Sequence, residues 1–166
     1  MITPEFVQTM ARYNVWQNGQ LRAALEPLSQ DDLTRDRGAF FGSLLGTLNH
    51  ILWGDAVWMT RFDGGPRFPG AIADSAGLCP TLADWVAERD QMDRRITDWA
   101  AALEASVLAG PHRWYSALLG REVEKPMGLL VTHMFNHQTH HRGQVHAMLT
   151  GLGAGGPVSD LFLMPD

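Results

Sequence analysis

A chain of 166 residues, 45% of them hydrophobic, is the size of one domain and can bury a real core. Its single cysteine excludes a disulfide scaffold, and a net charge of −5 with no basic stripe excludes the usual nucleic-acid footprint. The opening MITPEFVQTM lacks a basic n-region and no stretch approaches the ~20 apolar residues of a membrane span, so a cytoplasmic domain is expected, with neither a nucleic-acid nor a membrane partner.

The first helix is predicted over 3–25. Thr3 can cap it, Pro4 suits its first turn and Glu5 its positive end, while Phe6, Met10, Tyr13 and Leu21 form a helical stripe. Pro27 and Gly38 break the pattern. Ser43 then opens a second helix to about Phe62, with Leu44, Leu48, Ile51, Leu52, Trp58, Met59 and Phe62 on its apolar side. Residues 63–80 read as a loop or long crossover, rich in glycine and proline. Cys79 lies in it with no basic neighbour in sequence, the setting of an ordinary loop thiol.

Thr81 caps a third helix to about Val107, striped by Trp85, Arg89, Met92, Ile96, Trp99 and Leu103, with Arg89 its polar member. HRWYSALLGREVEKP partly alternates on either side of Leu119-Gly120-Arg121, which fits a short β-hairpin. The last helix runs from about Pro126 to Thr150 and stops at Gly151. GLGAGGP follows a helix, not a strand, so it is a helix stop and not a dinucleotide loop. The remaining GGPVSDLFLMPD is expected to pack on the bundle as an extended tail. The class is all-α: residues 1–166 form one four-helix-bundle domain, with the hairpin before its last helix.

Five of the seven histidines fall in HMFNHQTHHRGQVH, from His133 to His146. His137 and His141 are roughly 40° apart around the axis and ~6 Å apart along it, so both can reach one ion. His133 faces a similar way, but ~12 Å from His141 along the axis it is too far to share a small ion with it. His140 points to the neighbouring side, and His146 lies about 180° from His137. A third ligand must come from another helix. His50 is the candidate, because Gly46 and Gly54 at i−4 and i+4 leave bare backbone around it, at about 1 kcal/mol of helix propensity each. The absence of HExxH and of paired ExxH motifs argues against a zincin or a di-iron site.

HQTHHRGQVHAML resembles the C-terminal HxxxHRGQ motif of the DinB/YfiT-like metalloprotein family. YNVWQNGQL, from Tyr13, is similar to that family's first-helix motif, and GSLLGTLNHILWGDAVWMTRF to its second helix. The resemblance implies an up-down-down-up bundle, a homodimer, and a divalent metal held by His50, His137 and His141. Relatives include thiol-dependent transferases and isomerases that use mycothiol or bacillithiol, and the family name refers to DNA-damage induction, a stress response.

Three neutral imidazoles leave a coordination position open, the layout of a catalytic site. An ion there lowers the pKa of bound water or thiol. The leading expectation is therefore a metal-dependent, thiol S-transferase-like enzyme acting on a small electrophile. A metal-dependent hydrolase and a non-catalytic metal-binding or ligand-sensing bundle are the alternatives. Imidazole suits Zn, Ni, Fe and Cu alike. Asp55, about 140° around the helix from His50, reads first as a structural salt-bridge or hydrogen-bond residue, and second as a partner of Arg142 or Gln144 or an orienter of a histidine. Tyr13 and Trp16 read as core aromatics, with Tyr13 also a pocket candidate. His133 and His140 read as neighbours of the ion.

Overall fold

The computed structural model describes residues 2–166. Four long helices make the domain: α1 (Pro4–Leu25), α3 (Leu44–Asp63), α4 (Leu82–Ala101) and α6 (Met127–Gly151). Short helices α2 (Gln30–Thr34) and α5 (Ala105–Ala109) lie in the connections, with an antiparallel hairpin, β1 (Pro111–Ser116) and β2 (Arg121–Pro126), before α6. The expected caps are in place. Thr3, Ser43 and Thr81 accept the backbone N–H of Phe6, Gly46 and Asp84, each satisfying an orphan donor of the first turn.

Cross-helix contacts set the topology. Asn18 meets Asp93 while Gln8 reaches Ala100, so α1 and α4 are antiparallel. Leu48, Asp55 and Asp63 meet Trp85, Arg89 and Arg95 in the same order, so α3 and α4 are parallel. His50 and Trp58 face His141 and His133, so α3 and α6 are antiparallel. The result is an up-down-down-up bundle, with the 64–81 crossover carrying the chain back between two parallel helices.

Leu21, Leu25, Leu44, Leu48, Leu52, Met59, Trp85, Ile96, Met134 and Leu149 fill the core. On the α1 stripe Tyr13 and Leu21 are buried as expected, and Phe6 is not. Phe6 is 40% exposed, while Val7, Ala11, Asn14, Gln17, Asn18, Leu21 and Leu25 face inward. Three interior polar residues hide the true face from an apolar count.

The third helix ends six residues earlier than Val107. Its last turn tightens around Ala102 and Leu103, Glu104 becomes extended, and α5 starts in a new direction. Leu103 and Leu108, five residues apart, would sit about 140° apart on one straight helix; the break lets both be buried. At the end of α6, Gly151 is still helical, and the left-handed residue is Gly153, with φ +73°. The tail lies along α1 as expected: the Tyr13 hydroxyl donates to Ser159 O at 2.6 Å and Gln17 donates to Val158 O at 2.7 Å.

Candidate metal centre

His50 on α3 and His137 and His141 on α6 converge where the two helices cross. One ring nitrogen from each lies within 4.8 Å of the others. The Nε2 atoms of His50 and His137 are 3.1 Å apart. Two imidazole nitrogens sharing a tetrahedral ion at ~2.0–2.1 Å would be roughly 3.3 Å apart, so this spacing fits one ion between them.

The bare backbone around His50 has two separate uses. A Cβ on Gly54 would lie 3.0 Å from His137 Cε1, so that glycine admits the facing imidazole. A Cβ on Gly46 would lie 2.4 Å from the carbonyl oxygen of Phe41. That close approach brings the Phe41 ring onto His50, stacked at 3.7 Å between centroids.

The outer nitrogens are held too. His50 Nδ1 lies 3.0 Å from Ser75 Oγ, and the Ser75 hydroxyl donates to Ile72 O at 2.7 Å. Ser75 can then only accept, so His50 carries its proton on Nδ1 and offers an Nε2 lone pair to the site. His141 Nδ1 lies 2.8 Å from Gln144 Oε1, which fixes the same tautomer. The Gln144 amide nitrogen faces His140 Nε2 at 3.4 Å, linking that exposed imidazole to the cluster.

Burial, and then the neighbouring His141, push His50 down to about 4. Burial, then His141 and His50, take His137 to about 3. Burial likewise lowers His141, with Gln144 pulling the other way. All three are neutral at pH 7, the state in which imidazole ligates.

Asp55 takes the structural role favoured for it, in a salt bridge and a hydrogen bond. Asp55 does not pair with Arg142 or Gln144, and it orients no histidine. It accepts from Arg89 at 2.6 Å and from Gln138 at 2.8 Å. Arg89 continues to Asp93 at 3.0 Å, and Asp93 accepts from Asn18 at 2.9 Å. Arg142 donates to Asn14 and lies over the Tyr13 ring. A buried polar chain thus ties all four long helices together beneath the histidines. Asp55 turns toward α4 because Arg89 supplies the compensating charge that a fully buried carboxylate needs.

Tyr13 belongs to the α1–tail contact and not to the cluster. His133 is exposed, 6.1 Å from His137 between ring centroids and 5.0 Å from Trp58. His146 packs against Gly156, away from the site.

Two contributors were not read from sequence. Ser75 sits in a 3-10 turn, Ile72–Gly77, within the stretch taken as loop. Asn49 holds that turn by donating to Ala76 O and Cys79 O, both at 2.9 Å. Phe41 lies in the connection before α3. Neither residue type carries a metal-site pattern. Cys79 is a buried free thiol, raised to about 11 by burial and then by Glu88 and Asp84, which leaves it unreactive.

The bundle and its cluster define a helical protein compatible with metal binding through three histidines. The DinB family profile matches residues 1–166, and the chain belongs to that family. It is 24% identical to "Protein DinB" of Bacillus subtilis (strain 168) over 96% of this chain and 93% of that protein. A solved DinB-like protein from Bacillus cereus ATCC 10987 superposes with a TM-score of 0.62 at 16% identity, covering 87% of this chain and 91% of that one. Among the described residues, no helix is long and apolar enough to cross a membrane.

Proposed function

We propose that the protein binds one divalent ion through His50, His137 and His141 and uses it in thiol transfer to a small electrophile. The observation that carries this reading is the 3.1 Å facing of two Nε2 atoms on different helices, each ring presented neutral. Three protein ligands leave a position for an exogenous group, unlike the four of a closed structural site. A bound ion there supplies Lewis acidity, which favours the thiolate form of a thiol at neutral pH. The chain's own residues do the rest. Ser75 and Gln144 set the imidazole tautomers, Phe41 covers one side of His50, and the half-buried face of His137 is the approach from solvent. The thiolate sulfur would attack the electrophilic carbon while the leaving group departs with the bonding pair, and the thiol proton passes to water.

Elemental analysis of chelator-stripped, reloaded protein tests the site. Wild type and His146→Ala retain about one ion, while His50→Ala and His141→Ala lose it. Equal retention in all four overturns the ligand set. Zn, Ni and Fe are loaded in parallel to find the ion that supports turnover. A panel of small thiols and electrophiles then tests the reaction. Ester or amide turnover without thiol would establish hydrolysis instead. A full ion complement, unresponsive to thiols and inactive with every substrate, would establish a binding or sensing bundle.

A further inference from the structure

Beside the histidine cluster, between α3, α6 and the hairpin, lies a group of cationic and imidazole side chains for which the proposed chemistry has no use. Arg61 stacks its guanidinium 4.3 Å from the Trp58 ring centroid and 5.5 Å from that of Trp114. Among the described residues it makes no hydrogen bond and no ion pair, although the chain carries an excess of acidic residues. The ion pairs nearest in sequence bypass it, since Asp63 is taken by Arg95 at 2.7 Å. His112 stacks beside Trp114, and its Nε2 is buried without a partner. His133 reaches Trp58 from α6 and stands next to His137.

An unpaired, half-buried guanidinium held by two indoles has a fixed orientation and a weakened hydration shell. Its planar N–H fork matches a carboxylate.

We infer that Arg61, with His112 and His133 at its sides and Trp58 and Trp114 as walls, is a subsite for the carboxylate of an organic substrate. Its reactive end would lie toward His137. This rests on the proposed function for the direction of the substrate, but not for the existence of the anion site. The substrate class is then a carboxylate-bearing small molecule, either the thiol or the electrophile. Such a molecule would be extended, because the contacts that link Arg61 to His137 run through Trp58 and His133 in turn.

The test uses the full chain, stripped of metal by chelator, with benzoate as probe, benzamide as its neutral counterpart and inorganic phosphate as a third arm. Binding is followed by tryptophan fluorescence and by calorimetry. Wild type should bind benzoate saturably, with benzamide at least about tenfold weaker. Arg61→Gln should lose about tenfold or more for benzoate, and Arg61→Lys should recover part of it. Arg113→Gln, on an exposed arginine paired with Glu124 on the hairpin, should change nothing. Circular dichroism and reloaded metal content show that each variant is folded with its cluster intact. Equal binding of benzoate and benzamide, unchanged benzoate binding in Arg61→Gln, or no saturable binding to wild type overturns the subsite. Tighter binding of phosphate than benzoate overturns the carboxylate class. Repeating the benzoate titration in His141→Ala separates the two readings: the subsite survives loss of the ion site, and failure of the ion site leaves the Arg61 result unaffected.

Discussion

His137 of α6 fits into the gap left by Gly54 of α3, with its Cε1 3.0 Å from where a Cβ on that residue would stand. The glycine is what lets the two helices bring His137 and His50 to 3.1 Å. Gly54→Ala therefore has two opposed effects. Alanine favours the helix by about 1 kcal/mol. It also pushes the imidazole away from its partner, so metal affinity should fall by about tenfold, as for a displaced supporting residue. Melting of the ion-free protein and a competitive chelator titration read the two separately. An alanine variant with undiminished affinity would show that His137 has room to spare.

The outer hydrogen bonds carry a second prediction. Ser75→Ala and Gln144→Ala each leave an imidazole N–H without its acceptor and free the ring to rotate or change tautomer. Each should weaken metal binding by roughly ten- to a hundredfold while the ligands themselves remain. Gln144→Glu, which keeps an acceptor in place, should retain most of the affinity. If Ser75→Ala binds as wild type does, His50 is oriented by Phe41 stacking alone.

Asp55 supports the bundle from below the histidines. Its side chain is 1% exposed and its partner Arg89 is 2% exposed. Asp55→Asn leaves Arg89 facing Asp93 alone, and losing one partner of a buried pair should cost about 3 kcal/mol. Urea unfolding of the ion-free variant measures it. A change below about 1 kcal/mol would mean that Asp93 neutralises Arg89 without help.

These tests fall on residues that differ in how well the sequence announces them. The histidine cluster follows from local periodicity plus one anomaly, glycine on both sides of His50. Periodicity places a side chain on a face, and four-residue spacing on one helix is enough to align His137 with His141. It says nothing about which neighbour a face meets, so Asp55 reads as a structural salt-bridge or hydrogen-bond residue without its partners, Arg89 on α4 and Gln138 on α6, being named. The α1 stripe is right at Tyr13 and Leu21 but misplaced at Phe6 for a related reason, because Asn14, Gln17 and Asn18 are buried polar residues that an apolar pattern counts as surface. Ser75 and Phe41 lie in connections whose path is set by tertiary hydrogen bonds, such as those of Asn49, and not by any local repeat. The break after Ala101 has the same origin, since it exists to bury Leu103 and Leu108 together.

The depressed histidines make the ion-free protein sensitive to acid. His50 is lowered from 6.5 to about 4 and His137 from 6.5 to about 3, both chiefly by burial. Between those values and 6.5 the unfolded chain binds more protons than the folded one. Stability therefore rises with pH across this window. The contribution is complete above about pH 6.5 and disappears as the pH falls toward 4 and then 3. The melting temperature of chelated protein should fall steadily between about pH 6.5 and 4, and His50→Gln should flatten part of that slope. Metal retention should follow the same order. Neutral ligands persist below the ordinary histidine pKa, so the ion should survive at about pH 6 and be released nearer pH 4. A flat melting profile combined with ion loss at about pH 6.5 would show that the imidazoles titrate as exposed groups and that the cluster is open to solvent.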